Sequence, residues 1–203
     1  MNAFNKKSLT SYKSCHEGTI KVFEDPTSLV PYYGGGSYRD LVIYKGHLIV
    51  SMANIDLEVV QISNFKAPNL LKYNNPTVQI SCPDYSVPDL GLQFWLDLID
   101  IINNEWQAER ITGVTVCCIG GHGRTGTALS ILAGLTGKCK SDPVKFIRKH
   151  YCDKAVESVS QIKYIEEITG IKVDAKISKE IYGYQSSLNP NDKHDYYEYY
   201  TPF

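Results

Sequence analysis

No run in the 203-residue chain approaches the ~18 consecutive apolar residues that a membrane-spanning helix requires, so no membrane helix is expected. Met1 to Thr10 lacks the apolar core of a secretory signal, so export is not expected either. Charge of one sign is not in excess: the formal net charge is -1, which argues against nucleic acid held by bulk electrostatics. The six cysteines follow no disulfide-framework spacing, and two of them, Cys117 and Cys118, are adjacent. Reduced thiols in a cytoplasmic, reducing compartment are therefore the expectation. Internal repeats are lacking, and a composition of 43% hydrophobic and 21% charged residues is that of an ordinary globular protein. One domain with a proper core follows.

The first 36 residues carry few periodic signals, read as an N-terminal extension ending in a flexible turn at Gly34-Gly35-Gly36. Leu41-Val42-Ile43-Tyr44 and Leu48-Ile49-Val50, separated by Lys45-Gly46-His47, read as a hairpin. Val59 to Ile62 and Val78 to Ile80 read as further short strands. From Leu90 to Glu109 the period changes: Leu90, Phe94, Leu98, Ile101, Ile102 and Trp106 recur at helical spacing. A buried strand is predicted over Gly113 to Cys118, then a glycine-rich turn and a small-residue helix from Thr125 to Leu135.

Two later helices carry start signals. Asp142-Pro143 places a capping side chain before a proline in the first turn, and Ser158 to Gln161 fits a capping box with Gly170 as the stop. The cations Arg148, Lys149 and His150 suit a helix C-terminus. Strands, then a strand–loop–helix, then helices predict an α/β domain, a central mostly parallel sheet flanked by helices, over residues 1–173. From Asp174 to Phe203 periodicity fades into a tyrosine-rich C-terminal tail.

The chemistry concentrates at Cys118-Ile119-Gly120-Gly121-His122-Gly123-Arg124-Thr125-Gly126. A strand ends at a cysteine, five residues follow, and an arginine opens a helix. Successive backbone N–H groups in such a loop converge on one anion, helped by the positive helix N-terminus, and the glycines let the backbone approach it. The same field stabilises a thiolate: cysteines at helix N-termini near cations ionise at roughly pH 3.5–7.5, so Cys118 is expected to be ionised at neutral pH. Arg124 supplies a planar fork for two phosphate oxygens. Thr125 can donate its hydroxyl hydrogen to the sulfur.

This Cys-x5-Arg-Thr-Gly segment resembles the signature of the protein-tyrosine and dual-specificity phosphatase superfamily. The resemblance runs from Val59 to Thr169. It implies a compact dual-specificity-phosphatase-like architecture and hydrolysis of phosphomonoesters through a cysteinyl-phosphate, without metal or cofactor. Cys118, Arg124 and Thr125 are then catalytic, and Ile119, Gly120, Gly121, His122 and Gly123 bind the phosphate. Pro83-Asp84-Tyr85-Ser86-Val87-Pro88, with Asp84 lying 34 positions before Cys118 (118 − 84), is similar to the family's mobile acid loop. Asp84 is accordingly the general acid that protonates the leaving group. Glu157 and Gln161 fall in a segment similar to that carrying the family's water-positioning glutamines; Gln161 equally fits the capping box. Tyr38-Arg39-Asp40-Leu41 weakly resembles the phosphotyrosine-recognition loop of larger members, or is a strand start.

Three departures from the family pattern stand out. Cys82 replaces the tryptophan that commonly precedes the Pro-Asp pair, Glu157 replaces the first glutamine, and Cys117 replaces the histidine before the nucleophile. Cys82 and Cys117 read as buried inert thiols, with a reversible disulfide to an oxidised Cys118 as the alternative. His122 either contacts substrate, making binding pH-sensitive, or simply faces solvent.

The expected partner is a phosphorylated protein, bearing phosphotyrosine or read with dual specificity. A phosphoinositide or RNA 5′ end is disfavoured by the lack of cationic side chains inside the loop. Retention of Cys118, Arg124 and Asp84 together weighs against a catalytically inactive phosphate-binding module. A nucleotide P-loop would need Gly-Lys before Ser or Thr, where this chain has Gly123-Arg124-Thr125. A zinc site from Cys117, Cys118 and His122 wants a fourth ligand. Oligomeric state is not legible.

Overall fold

The computed structural model describes residues 18–35, 41–54 and 75–187. The strand expected at Val59 to Ile62, the Tyr38 to Asp40 motif and the tail beyond Ser187 lie outside them. None of the described helices is long and apolar enough to cross a membrane.

Five strands, β1 (Ile20–Glu24), β2 (Pro31–Gly34), β3 (His47–Ser51), β4 (Thr77–Gln79) and β5 (Gly113–Cys117), form one sheet in the order β1-β2-β5-β3-β4. Among the described residues only β1 and β2 pair antiparallel, and the other three pairings are parallel. β5 lies at the centre with all five residues buried, as expected of a parallel strand covered on both faces. Val116 of β5 is level with Gly34 of β2 and Val50 of β3, so three strand ends finish together. Two further bonds extend that edge: Gly35 N–H donates to the Val116 carbonyl at 2.6 Å, and Met52 N–H to the Cys117 carbonyl at 2.7 Å. Cys118 emerges there, at the carboxyl ends of parallel strands, where open α/β sheets bind ligands.

Helices α1 (Leu92–Gln107), α2 (Gly123–Leu135), α3 (Pro143–His150), α4 (Val159–Thr169) and α5 (Ala175–Ser187) complete the mixed α/β fold. α2 directly follows the loop after β5. It is buried without a break from Gly123 to Ala133, because small residues let α3 and α4 close on it. The helix starts read from sequence are present. Asp142 accepts from Lys145 N–H at 2.9 Å with Pro143 in the first turn, Ser158 and Gln161 form a reciprocal capping box, and Gly170 ends α4 at φ 68°. On α1, Trp95, Leu98 and Ile102 form the buried stripe, and Trp95 Nε1 donates to Tyr164 Oη of α4 at 2.8 Å.

Four expectations are corrected. The segment 20–34 is not an extension, since it supplies β1 and β2 of the sheet. The turn expected at Gly34-Gly35-Gly36 is replaced, at Gly34 and Gly35, by buried, packed backbone. No hairpin joins 41–44 to 48–50, because both flanks of β3 are taken by β5 and β4. Segment 41–44 instead buries Leu41 and Ile43 and is held by Thr19, whose Oγ1 donates to the Val42 carbonyl at 2.6 Å and accepts from its N–H at 3.0 Å. Finally, residues 175–187 are helical; only Ile177 and Ile181 mark an apolar stripe there, too few to show as periodicity.

Trp95 is fully buried and carries a polar partner, so Trp95→Ala is expected to cost about 3–5 kcal/mol, read as a fall in the urea midpoint.

Candidate active site

The loop after β5 curls back on its own cysteine. Gly121 N–H donates to Cys118 Sγ at 3.2 Å, in a conformation with φ 76° that a glycine adopts without strain. α2 begins two residues later, so its first-turn N–H groups add their positive potential to the same place. Thr125 is fully buried and its Oγ1 has no hydrogen-bond partner among the described residues.

Arg124 is 2% exposed, and its guanidinium reaches across to the acid loop. Nη1 donates to the Cys82 carbonyl at 2.9 Å, while Nη2 lies 3.3 Å from Asp84 Oδ1, whose side chain is 45% exposed. The expected nucleophile loop, arginine and acid are thus brought together from elements 34 residues apart in sequence (118 − 84). The acid loop is also gripped from the far side by α4. Ser160 Oγ donates to the Tyr85 carbonyl at 3.2 Å and Gln161 Nε2 to the Ser86 carbonyl at 3.3 Å. Tyr164 Oη donates to the Leu90 carbonyl at 2.6 Å. Tyr85 sits at φ 55°, a left-handed conformation that costs a non-glycine residue roughly 1–3 kcal/mol and persists only where its surroundings hold it.

Glu157 lies against the loop from the side of α4. A Cβ on Gly123 would fall 2.5 Å from Glu157 Oε2 and 3.0 Å from Gln161 Nε2, so a larger residue there would displace those side-chain ends. Burial, and after it the charge of Asp84, push the Glu157 carboxyl up to about 7; the Gly123 N–H, Arg124 and Lys154 oppose the shift. The segment carrying it is tied down by Arg148, whose Nε donates to the Ala155 carbonyl at 2.9 Å and Nη2 to the Val156 carbonyl at 3.2 Å. Val156 holds φ 64°, an outlier for a β-branched residue. The amide of Gln161 faces inward: Oε1 accepts from Glu157 N–H at 2.8 Å and Ser158 N–H at 3.2 Å.

His122 is half-buried, with Nδ1 3.2 Å from Cys152 Sγ, so the ring meets that sulfur rather than standing free in solvent. Cys152 is disulfide-bonded, which corrects the expectation of reduced thiols throughout. Cys82 and Cys117 are buried thiols. Burial, with a smaller contribution from the charge of Cys118, pushes Cys117 up to about 12, so it is inert at neutral pH. Tyr151, whose Oη reaches the Gly121 carbonyl, and Arg148 are not marked for this site by the sequence. No spacing rule links a helix C-cap to a loop 30 residues earlier (151 − 121), and a cation ending a helix already has a dipole to explain it.

The crystal structure of Tk-PTP in the active form superimposes with a TM-score of 0.51 at 17% identity, covering 70% of this chain and 91% of that one. The chain has the fold of the protein-tyrosine and dual-specificity phosphatases. In sequence it is similar to two uncharacterized proteins of Methanocaldococcus jannaschii. One is 37% identical over 100 residues, 48% of this chain and 57% of that protein; the other is 38% identical over 95 residues, 45% and 58%. The matches therefore span less than two thirds of those relatives' length. No family model matches the chain. Cys117, which the sequence comparison places where the resembled family usually has histidine, is fully buried.

The raised Glu157 carboxyl makes stability depend on pH. The folded state binds its proton more tightly than the unfolded chain does, so this contribution is present below the ordinary carboxylate range and is lost as pH rises through about 7. Glu157→Gln, which cannot ionise, is expected to gain stability relative to wild type between about pH 5 and pH 8. Urea denaturation at the two ends checks this, and a difference that does not grow with pH contradicts it.

Proposed function

We propose that the protein is a phosphatase that hydrolyses phosphomonoesters, phosphotyrosine in proteins foremost with dual specificity close behind, through a cysteinyl-phosphate. What carries this reading is the Gly121 N–H on Cys118 Sγ together with, at the other end of the same loop, a buried Arg124 that already holds Asp84.

In the first step Cys118 Sγ attacks phosphorus, the bond from phosphorus to the leaving oxygen breaks, and Asp84 gives that oxygen a proton. A phosphate dianion and the Asp84 carboxylate compete for one guanidinium and repel each other. Arg124 and the loop amides stabilise charge on the equatorial oxygens. Thr125 Oγ1, with its hydrogen uncommitted, donates to the sulfur as the sulfur leaves. In the second step water attacks phosphorus, the sulfur–phosphorus bond breaks, and a carboxylate takes the proton. Asp84 does this by reversing its first role, and Glu157, against Gly123, is the second carboxyl able to orient that water. Gln161 is assigned to clasping the acid loop, because its amide is committed to Glu157, Ser158 and Ser86.

A second reading, a phosphate-binding module without turnover, draws on one observation: both terminal nitrogens of Arg124 are engaged by the acid loop. Hydrolysis of p-nitrophenyl phosphate separates the two. Wild-type turnover is expected, none from Cys118→Ser, and a kcat lowered by about 10²–10⁴ in Asp84→Ala. Turnover by Cys118→Ser would overturn the nucleophile assignment, and a wild type that binds phosphate without hydrolysis would favour the module.

A further inference from the structure

Tyr151 caps the C-terminus of α3 and is more than nine-tenths enclosed. Its Oη lies within hydrogen-bonding reach of two backbone carbonyls, Gly35 after β2 and Gly121 in the phosphate loop, which share its one hydrogen. The ring lies flat against β2: a Cβ on Gly34 would come within 2.3 Å of Tyr151 Cε2, so the glycine there is what lets the phenol reach through. Burial, then the charges of Cys118 and Cys117, hold the phenol well above the usual tyrosine range, so the hydroxyl keeps its proton at neutral pH.

The Gly121 carbonyl and the His122 N–H belong to one planar trans peptide and point in opposite directions. A phosphate loop works only if its N–H groups face the anion and its carbonyls face away. Gly121, at φ 76°, is the residue at which that peptide turns most cheaply, since glycine tolerates either sign of φ. Turned over, it would aim a carbonyl at the phosphate. We propose that Tyr151 is a positioning residue that locks this peptide by drawing the Gly121 carbonyl outward, keeping the His122 N–H aimed at the bound anion.

This rests on the phosphate-binding reading of the loop and not on turnover. The test is calorimetric titration of wild type and Tyr151→Phe with inorganic phosphate, alongside kcat/KM for p-nitrophenyl phosphate and the melting temperature. Phe keeps the ring against Gly34 and removes only the hydroxyl. Phosphate affinity is expected to fall roughly tenfold, and kcat/KM with it, beyond any change in melting temperature. Affinity within twofold of wild type overturns the inference while leaving the phosphatase reading intact. A wild type that binds phosphate but does not hydrolyse it ends that reading and leaves this one standing. In wild type itself, nitrogen-15 spectra should show the His122 amide among those most shifted by phosphate; phosphate binding that leaves that amide unmoved counts against the proposal.

Discussion

A buried guanidinium has to be met by acceptors, because removing a charge from water costs several kcal/mol unless it is paired and hydrogen-bonded. Arg124, 2% exposed, is met by the Cys82 carbonyl and the Asp84 carboxylate. That requirement ties two distant parts of the chain together: the first helical turn after β5 cannot settle unless the acid loop comes to it. The loop itself emerges where β5 ends level with β2 and β3, and α2 starts from it. The geometry of the candidate site and the stability of the fold thus draw on one contact.

α4 supports this arrangement through its first turns. Ser160, Gln161 and Tyr164 reach carbonyls of the acid loop and its continuation, and Trp95 joins the same network through Tyr164. Two of the four left-handed non-glycine residues among those described, Tyr85 and Val156, sit in the two segments that flank the loop. Each is held by side-chain donors from helices, Ser160 on the Tyr85 carbonyl and Arg148 on the Val156 carbonyl. Backbone strain stored beside a reactive centre is a common feature of functional sites.

Much of this was legible in the sequence because it is local. A strand, a glycine turn and a helix start are written in consecutive residues at Gly113 to Leu135, and caps at Asp142 and Ser158 are short-range patterns. Asp84 was found through resemblance to a family loop, not through anything its neighbours dictate. The missed features depend on partners far along the chain. β1 and β2 are short and show no run of alternation, so their place beside β5 is a tertiary outcome. The supposed hairpin failed because β3, buried throughout, was already flanked by β5 and β4. Tyr151 reads as one more aromatic at a helix end; its role appears only when Gly35 and Gly121 are seen on either side of its hydroxyl.

The central claim is that Cys118 lies in an anion-binding cradle, unlike the other thiols of the protein. Mass-spectrometric mapping of iodoacetate alkylation at neutral pH, with and without inorganic phosphate, tests it directly. Cys118 should be modified ahead of Cys82, Cys117 and Cys139, and phosphate should protect it. A Cys118 no more reactive than those buried thiols, or alkylated at the same rate with phosphate present, would contradict the account.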